Sequence, residues 1–288
     1  MTSSTDVPSK IEYIDWAPSG WCDLSCDFCD GVPHGLRPTA ETQDRIVEAL
    51  ISSDAATVTI CGGEPFGVRR LYDYASRLKA GGKQVNINTN GILLRRRVEQ
   101  GFDLNVADSY GISIHSFTQS GQVCMQGPEA NLAETVAAAM LVCRSNAALK
   151  VATVVSRVNY QHVPWIATKV IRELQPDIWR LYQYYSGGPE NINQADHTIS
   201  DIVFDATVLN ARSAAGRIKP FPIPVVASTS EHVQGCVLVY PNGLVYEPTP
   251  KGHAVRGNLL LEPLDSIWKR ITNRATVSSH KDLLYSAI

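Results

Sequence analysis

Two hydrophobic periods alternate along the first two-thirds of the chain. Short runs rich in β-branched residues read as strands at Ile11–Trp16, Ala56–Cys61, Val85–Thr89, Ser109–His115, Val151–Val155 and Ile178–Tyr182. Between them, apolar residues recur at helical spacing. Thr39-Ala-Glu-Thr-Gln starts one helix, carried on by Ile46, Val47, Leu50 and Ile51. Leu71–Ala80 reads as a second and stops at Gly81-Gly82, where a glycine can take the left-handed conformation. Asn131–Arg144 and Pro164–Leu174 read as two more. Strand and helix in regular alternation predict a parallel sheet with right-handed crossovers. Six such units suit an open, partial (β/α)6 barrel better than a closed eight-unit one. No Gly-x-Gly-x-x-Gly follows the first strand, which disfavours a dinucleotide-binding fold.

Beyond residue 200 the texture changes. Asp201–Ala215 reads as a helix, and Phe221–Ser228 as an extended segment interrupted by prolines. Cys236–Tyr240 and Gly243–Glu247 flank Pro241-Asn242 as a hairpin. The predicted organisation is a flexible tail over 1–10, a barrel over 11–200 and a small C-terminal α+β cap over 201–288. The 288 residues are ample for a buried core. A net charge of −2 offers no polycation for nucleic acid or an acidic membrane. No apolar run reaches the roughly 18 residues needed to span a bilayer. The opening MTSSTDVPSK lacks a basic and apolar signal segment. These features predict a cytoplasmic α/β protein with neither nucleic acid nor membrane as partner.

In a reducing compartment, clustered cysteines read as ligands or catalysts rather than disulfides. The chain has seven cysteines, and three of them, Cys22, Cys26 and Cys29, form a C-x3-C-x2-C array in SGWCDLSCDFCDG. Three thiolates fall one short of the usual four-cysteine site. A cubane iron–sulfur cluster held by three leaves one iron open for another ligand. The array follows the first strand, and in β/α barrels that end carries the chemistry. Phe28 is placed to shield one side of a cluster from water. The alternative is a zinc site completed by His34.

This loop resembles that of the radical S-adenosylmethionine (radical SAM) superfamily, with its C-x3-C-x-aromatic-C after the first strand of a partial barrel. The resemblance implies one [4Fe–4S] cluster on Cys22, Cys26 and Cys29 and S-adenosyl-L-methionine at the open iron, cleaved to a 5′-deoxyadenosyl radical. Further segments match in order. Gly62-Gly63-Glu64-Pro65 follows the second strand, like the family motif that meets the methionine amine. Asn88 and Asn90 end the third strand like the segment near the ribose, and Ser113 and His115 end the fourth. Asn159 follows the fifth, and Tyr182 ends the sixth near the adenine position. The family also implies a small-molecule substrate and an electron donor such as flavodoxin or ferredoxin.

Of the remaining cysteines, Cys61 and Cys143 read as core thiols and Cys124 as a structural residue in a polar loop. GCVLVYPNGLVYEP resembles the C-terminal cap of family members with extra clusters, yet no cysteine stands near Glu247. Cys236 therefore has no cysteine partner for a second cluster. A thiol near a radical site can return a hydrogen atom to carbon, as in neomycin-type aminoglycoside epimerases, so Cys236 is the candidate donor in an epimerisation. Asp23, Asp27, Asp30, Glu190 and Glu247 suggest an acidic lining for a polyamine, with Tyr184 and Tyr185 available to pack on sugar rings. The competing resemblance is to viperin-like nucleotide dehydratases, where Lys150 and Arg180 would meet a triphosphate; against it, the second strand offers Thr57 and Thr59 rather than a further lysine. A peptide-modifying maturase stays open as a third reading.

Overall fold

The computed structural model describes residues 11, 13–29, 31–32, 35–187, 194–220, 222–230, 236–249 and 252–272. The expected tail over 1–10, His34, Asp30, Glu190, Phe221 and the stretch 273–288 lie outside them.

Ten strands form one sheet, in the order β10-β9-β8-β1-β2-β3-β4-β5-β6-β7. The parallel run from β1 to β6 comprises Tyr13–Trp16, Thr57–Ile60, Gln84–Thr89, Ser109–Ser113, Ala148–Val155 and Ile178–Gln183. Helices α1 (Ala40–Ile51), α2 (Leu71–Ala80), α3 (Leu94–Glu99), α4 (Gln119–Gln126) and α5 (Leu132–Val142) lie in the crossovers. The expected helix after β5 is continuous but uneven: Val163–Ile166 leads through a π-helical turn, Ala167–Ile171, into Arg172–Leu174. Thr39 accepts from the Thr42 N–H and Asn131 from the Glu134 N–H, side-chain caps that each contribute about 1 kcal/mol. Gly82 leaves α2 at φ +80°.

The region beyond residue 200 enters the same sheet at both edges. The proline-rich stretch yields β7 (Val225–Ser228), a seventh strand parallel to β6. The prolines at 220, 222 and 224 all precede it, so none deletes a donor inside the ladder. The predicted hairpin is β8 (Leu238–Val239) and β9 (Leu244–Thr249), extended by β10 (Gly252–Asn258). β8 runs parallel to β1, with Asp15 opposite Leu238.

Register decides which side chains meet. Ile14, Trp16, Val58, Ile60, Ile87, Ile112, Val151, Trp179 and Leu181 share one face and form the apolar core with the helices. Alternate residues line the other face, the barrel lumen. Many of them are polar, Tyr13 and Asp15, Thr57 and Thr59, Asn86 and Asn88, Ser109 and Ser113, Lys150, and Arg180 with Tyr182, interspersed with Gly111, Ala148, Ala152, Val154 and Ile178. A period of two thus separates an apolar outer layer from an interior that carries most of the sheet's polar side chains.

Candidate active site

One cleft at the C-terminal end of the strands encloses about 910 Å³ of empty space, open to solvent. Cys22, Cys26 and Cys29 line it together with Gly62, Gly63, Glu64, Asn88, Asn90, Ser113, His115 and Tyr182. The loop is folded to aim its donors at sulfur. The Leu24 N–H donates to Cys22 Sγ and the Gly31 N–H to Cys29 Sγ, both at 3.4 Å. Burial pushes the Cys22 thiol up to about 12, with Glu64, Asp23 and Cys29 adding to the effect. Burial pushes Cys26 up as well, helped by Cys29 and Cys22. Two thiols that resist ionisation, side by side with a third, suit a cationic iron–sulfur core, because a bound metal deprotonates its thiols outright. Among the described residues, no trio of His, Cys, Asp or Glu side chains is placed to hold a single metal ion.

The glycine-rich turn after β2 packs against this loop. Gly62 has φ +97°, and a Cβ there would stand 2.4 Å from Ala17 Cβ. A Cβ on Gly63 would stand 1.9 Å from the Trp21 carbonyl oxygen, and one on Gly67 2.3 Å from the Trp21 ring. The two glycines of the motif are therefore needed first for close approach to the backbone of the cysteine loop. Gly67 and Trp21 were not among the expected site residues; the Gly-x3-Gly spacing from Gly63 was their signal in the sequence.

Glu64 is the hub of the cleft. Its Oε1 accepts from the Phe66 N–H at 2.9 Å and the Thr89 hydroxyl at 2.7 Å, and its Oε2 accepts from the Asn90 N–H at 2.9 Å. Burial nevertheless pushes its pKa up to about 7, and Asp23 adds to the shift. Asn90 Nδ2 donates to Asp23 Oδ1 at 2.7 Å, while Asp23 Oδ2 is buried without a hydrogen-bond partner among the described residues. Two neighbouring carboxylates, one with an orphaned oxygen, fit a ligand that brings an ammonium and a sulfonium into this end of the cleft.

Gly111 lies beside Asn88, whose Oδ1 would be 2.2 Å from a Cβ there. His115 is buried, its Nδ1 accepts from the Val154 N–H at 3.1 Å, and burial pushes its pKa down to about 3, so it is neutral. Phe28 meets His115 edge-on, with centroids 5.1 Å apart. Asn159 and Pro65 do not reach the cleft wall. Asn159 instead donates to the His115 and Val154 carbonyls, at 3.0 and 2.8 Å, and accepts from the Ser156 N–H. Its side chain is turned inward onto three backbone groups, at His115, Val154 and Ser156.

The other cysteines fall differently from expectation. Cys61 is no core thiol: it lines the cleft directly before Gly62. Cys143 is exposed at the end of α5, and its thiol donates to the Leu174 carbonyl at 3.2 Å. Cys124 lies in helix α4 rather than a loop and is exposed. Cys236 sits two residues before Leu238 on the lumen side of β8, and its thiol bears electrostatically on both Lys150 and Tyr182.

Of the expected acidic lining, Asp23 stands beside Glu64 in the cleft, Asp30 and Glu190 lie outside the described residues, and the other two fall elsewhere. Glu247 is buried under Arg256 and Thr272, and Asp27 is exposed. Tyr185 donates to the Thr249 carbonyl at 2.5 Å, and Tyr184 packs with Phe28 and Met125. The lumen contains the cations Lys150 and Arg180, both buried, with Asp15 as the carboxylate that bears on Lys150.

A partial β/α barrel with a three-cysteine cleft at its strand ends defines a protein built to hold an open-iron cluster and a cosubstrate. The model of the radical SAM superfamily matches residues 16–167, more than half of the chain, and the chain belongs to that superfamily. Its cofactors are accordingly a [4Fe–4S] cluster and S-adenosyl-L-methionine. The GTP 3′,8-cyclase of Rhizobium leguminosarum bv. trifolii (strain WSM2304) is 28% identical over 108 residues, which span 33% of this chain and 30% of that protein. The chain thus matches less than a third of that relative's length. Streptococcus suis SuiB bound to S-adenosylmethionine superposes with a TM-score of 0.69 at 14% identity, covering 96% of this chain and 69% of SuiB. The enzyme anSMEcpe with bound AdoMet gives 0.64 at 13% identity, covering 92% and 78%. Among the described residues, no helix is long and apolar enough to cross a membrane.

Proposed function

We propose that this enzyme isomerises a sugar or sugar-containing small molecule seated in the barrel lumen, with the Cys236 thiol returning a hydrogen atom to the substrate carbon. The observation that carries this reading is the placement of Cys236. It shares the lumen face with Lys150 and Tyr182, and Tyr182 also lines the cysteine cleft. A substrate against Tyr182 would have the cleft on one side and the thiol on the other.

When bound by Cys22, Cys26 and Cys29, the cluster with S-adenosyl-L-methionine supplies a 5′-deoxyadenosyl radical that removes one substrate hydrogen. Glu64, Asn88, Asn90 and Ser113 hold and orient the cosubstrate, and Phe28 excludes water. Cys236 gives a hydrogen atom to the substrate radical from the opposite face and becomes a thiyl radical. One electron from a flavodoxin- or ferredoxin-type donor and one proton then restore the thiol. The hydroxyls and amides of Thr57, Thr59, Asn86 and Ser109 suit a polyol, whereas Lys150 and Arg180 disfavour a polyamine such as an aminoglycoside.

Reconstituted protein is assayed anaerobically in deuterated water against sugar derivatives, nucleotides and peptides. The expected product carries one deuterium at an inverted carbon. Cys236→Ala should still form 5′-deoxyadenosine and lose the inverted product. Normal turnover by Cys236→Ala would overturn the donor role. The similarity to a GTP 3′,8-cyclase favours a second reading, radical chemistry on a nucleotide. Dehydration or cyclisation without solvent deuterium at carbon would select it.

A further inference from the structure

Gln126 lines the cleft, although it was not among the expected site residues. It is the last residue of α4, so its carbonyl has no partner within the helix; it accepts from the Cys26 thiol at 3.8 Å. One turn earlier on the same helix face lies Gln122, fully buried. Its Oε1 accepts from the His115 and Ser116 N–H groups, at 2.9 and 3.0 Å. A backbone N–H can only donate, so these two bonds fix which end of the Gln122 amide is oxygen. The Nε2 end faces the other way and donates to the Ser113 carbonyl at 3.2 Å and to Gln126 Oε1 at 2.7 Å. That last bond fixes Gln126 in turn. Its oxygen is taken, and its NH2 is the end left for the cleft. Gln126 is 2% exposed, and its Nε2 donates to no described residue. A donor so enclosed is costly unless a ligand brings it an acceptor. His115, whose N–H the same Gln122 holds, adds a second donor: its Nδ1 accepts from the Val154 N–H, which leaves the ring proton on Nε2.

The methionine end of the cosubstrate is a zwitterion. Glu64 and Asp23 suit its ammonium, but its carboxylate needs donors. Among the described residues that line the cleft there is no lysine or arginine. Neutral donors held in a fixed orientation are what the wall offers instead. We propose that the Gln126 amide donates to the carboxylate of S-adenosyl-L-methionine, and that Gln122 is the positioning residue that keeps the NH2 of that amide turned into the cleft. The assignment rests on the cofactors of the superfamily and not on the isomerisation proposed above.

The test compares two ligands on the full reconstituted chain by equilibrium dialysis. One is S-adenosyl-L-methionine; the other is its decarboxylated analogue, which keeps the ammonium, the sulfonium and the adenosine. Gln126→Met, close in volume, should weaken S-adenosyl-L-methionine about tenfold and leave the analogue within about twofold of wild type, with the cluster absorbance retained. Gln126→Glu sets an anion against the carboxylate, so it should weaken S-adenosyl-L-methionine further and spare the analogue. Gln122→Glu still accepts from the His115 and Ser116 N–H groups but, when ionised, has no proton to give Gln126. The Gln126 amide should then turn its oxygen into the cleft, and S-adenosyl-L-methionine should again lose about tenfold while the analogue does not. A merely structural role would change both ligands alike. Equal losses for the two ligands in Gln126→Met, unchanged S-adenosyl-L-methionine affinity in both Gln126 variants, or loss of the cluster absorbance in Gln126→Met would overturn the proposal. If Gln122→Glu does not fold, the Gln126 variants decide. If the analogue binds wild type too weakly to measure, S-adenosyl-L-methionine alone decides: a larger loss in Gln126→Glu than in Gln126→Met is expected, and equal losses would overturn the proposal. The measurement involves no turnover. A failed isomerisation would therefore leave the Gln126 assignment standing, and a failed discrimination would leave the isomerisation standing.

Discussion

The α-carbon of Gly63 lies so close to the Trp21 carbonyl oxygen that a Cβ would stand 1.9 Å from it. The Glu64 N–H, one residue on, donates to that same carbonyl at 2.6 Å. The turn after β2 and the cysteine loop after β1 are thus one backbone-to-backbone unit, and the cleft depends on it.

Gly63→Ala should force the two loops apart. Overpacking against backbone costs about 1–3 kcal/mol, since no side chain can rotate away. The helical circular dichroism should persist while iron content and the cluster's visible absorbance fall several-fold. Gly67→Ala meets the Trp21 ring instead, so its defect should be relieved by adding Trp21→Ala, whereas that of Gly63→Ala should not be. Iron analysis of the four proteins checks this.

Loss of any one of Cys22, Cys26 or Cys29 to alanine should abolish both the cluster spectrum and 5′-deoxyadenosine formation. Cys124→Ala and Cys143→Ala, at exposed positions outside the cleft, should retain both. Mössbauer or absorbance spectra after anaerobic reconstitution distinguish iron from zinc at this site.

Glu64→Gln should weaken S-adenosyl-L-methionine binding about tenfold, near 1.4 kcal/mol, with the cluster spectrum largely intact. Thr89→Val should act in the same direction but less strongly, because it removes one of three donors to that carboxylate. Equilibrium binding of the cosubstrate to reconstituted variants measures both.

Lys150 gives a pH signature. Burial lowers its pKa to about 8 from an unfolded value of 10.5. Between those values the unfolded chain binds more protons than the folded one, so this group makes stability rise with pH. Below pH 8 its buried charge costs stability in full, on the order of 3 kcal/mol. Lys150→Met should therefore raise the Tm at pH 7, and its advantage over wild type should shrink as pH climbs from 8 to 10.5. Thermal melts across that range check the sign.

Asn159→Ala should cost about 1–3 kcal/mol by leaving the buried His115 and Val154 carbonyls short of donors. Cosubstrate binding should weaken through the displaced His115 loop, and Asn159→Gln should not rescue it, since three partners surround the shorter amide. Melts and binding assays on the two variants separate this positioning role from a ligand contact.

What could be read along the chain was everything with a local cause. Alternating apolar residues placed β2 to β6, a threonine and an asparagine marked the starts of α1 and α5, and Gly82 closed α2. The three cysteines and the motif at Gly62 lie at strand ends, so their shared cleft was legible from order alone. The tertiary structure decided what depends on residues distant in sequence. β7 is a strand because β6 offers an open edge, although the prolines just before it argue against one. Cys61 points into the cleft and Asn159 away from it because register and nearby backbone donors, not residue type, set their direction. The lumen's charge could not be summed from the loops. Asp27 and Glu247 are drawn out to solvent or to Arg256, while Lys150 and Arg180, separated by a helix in sequence, are turned inward together by the parity of two adjacent strands.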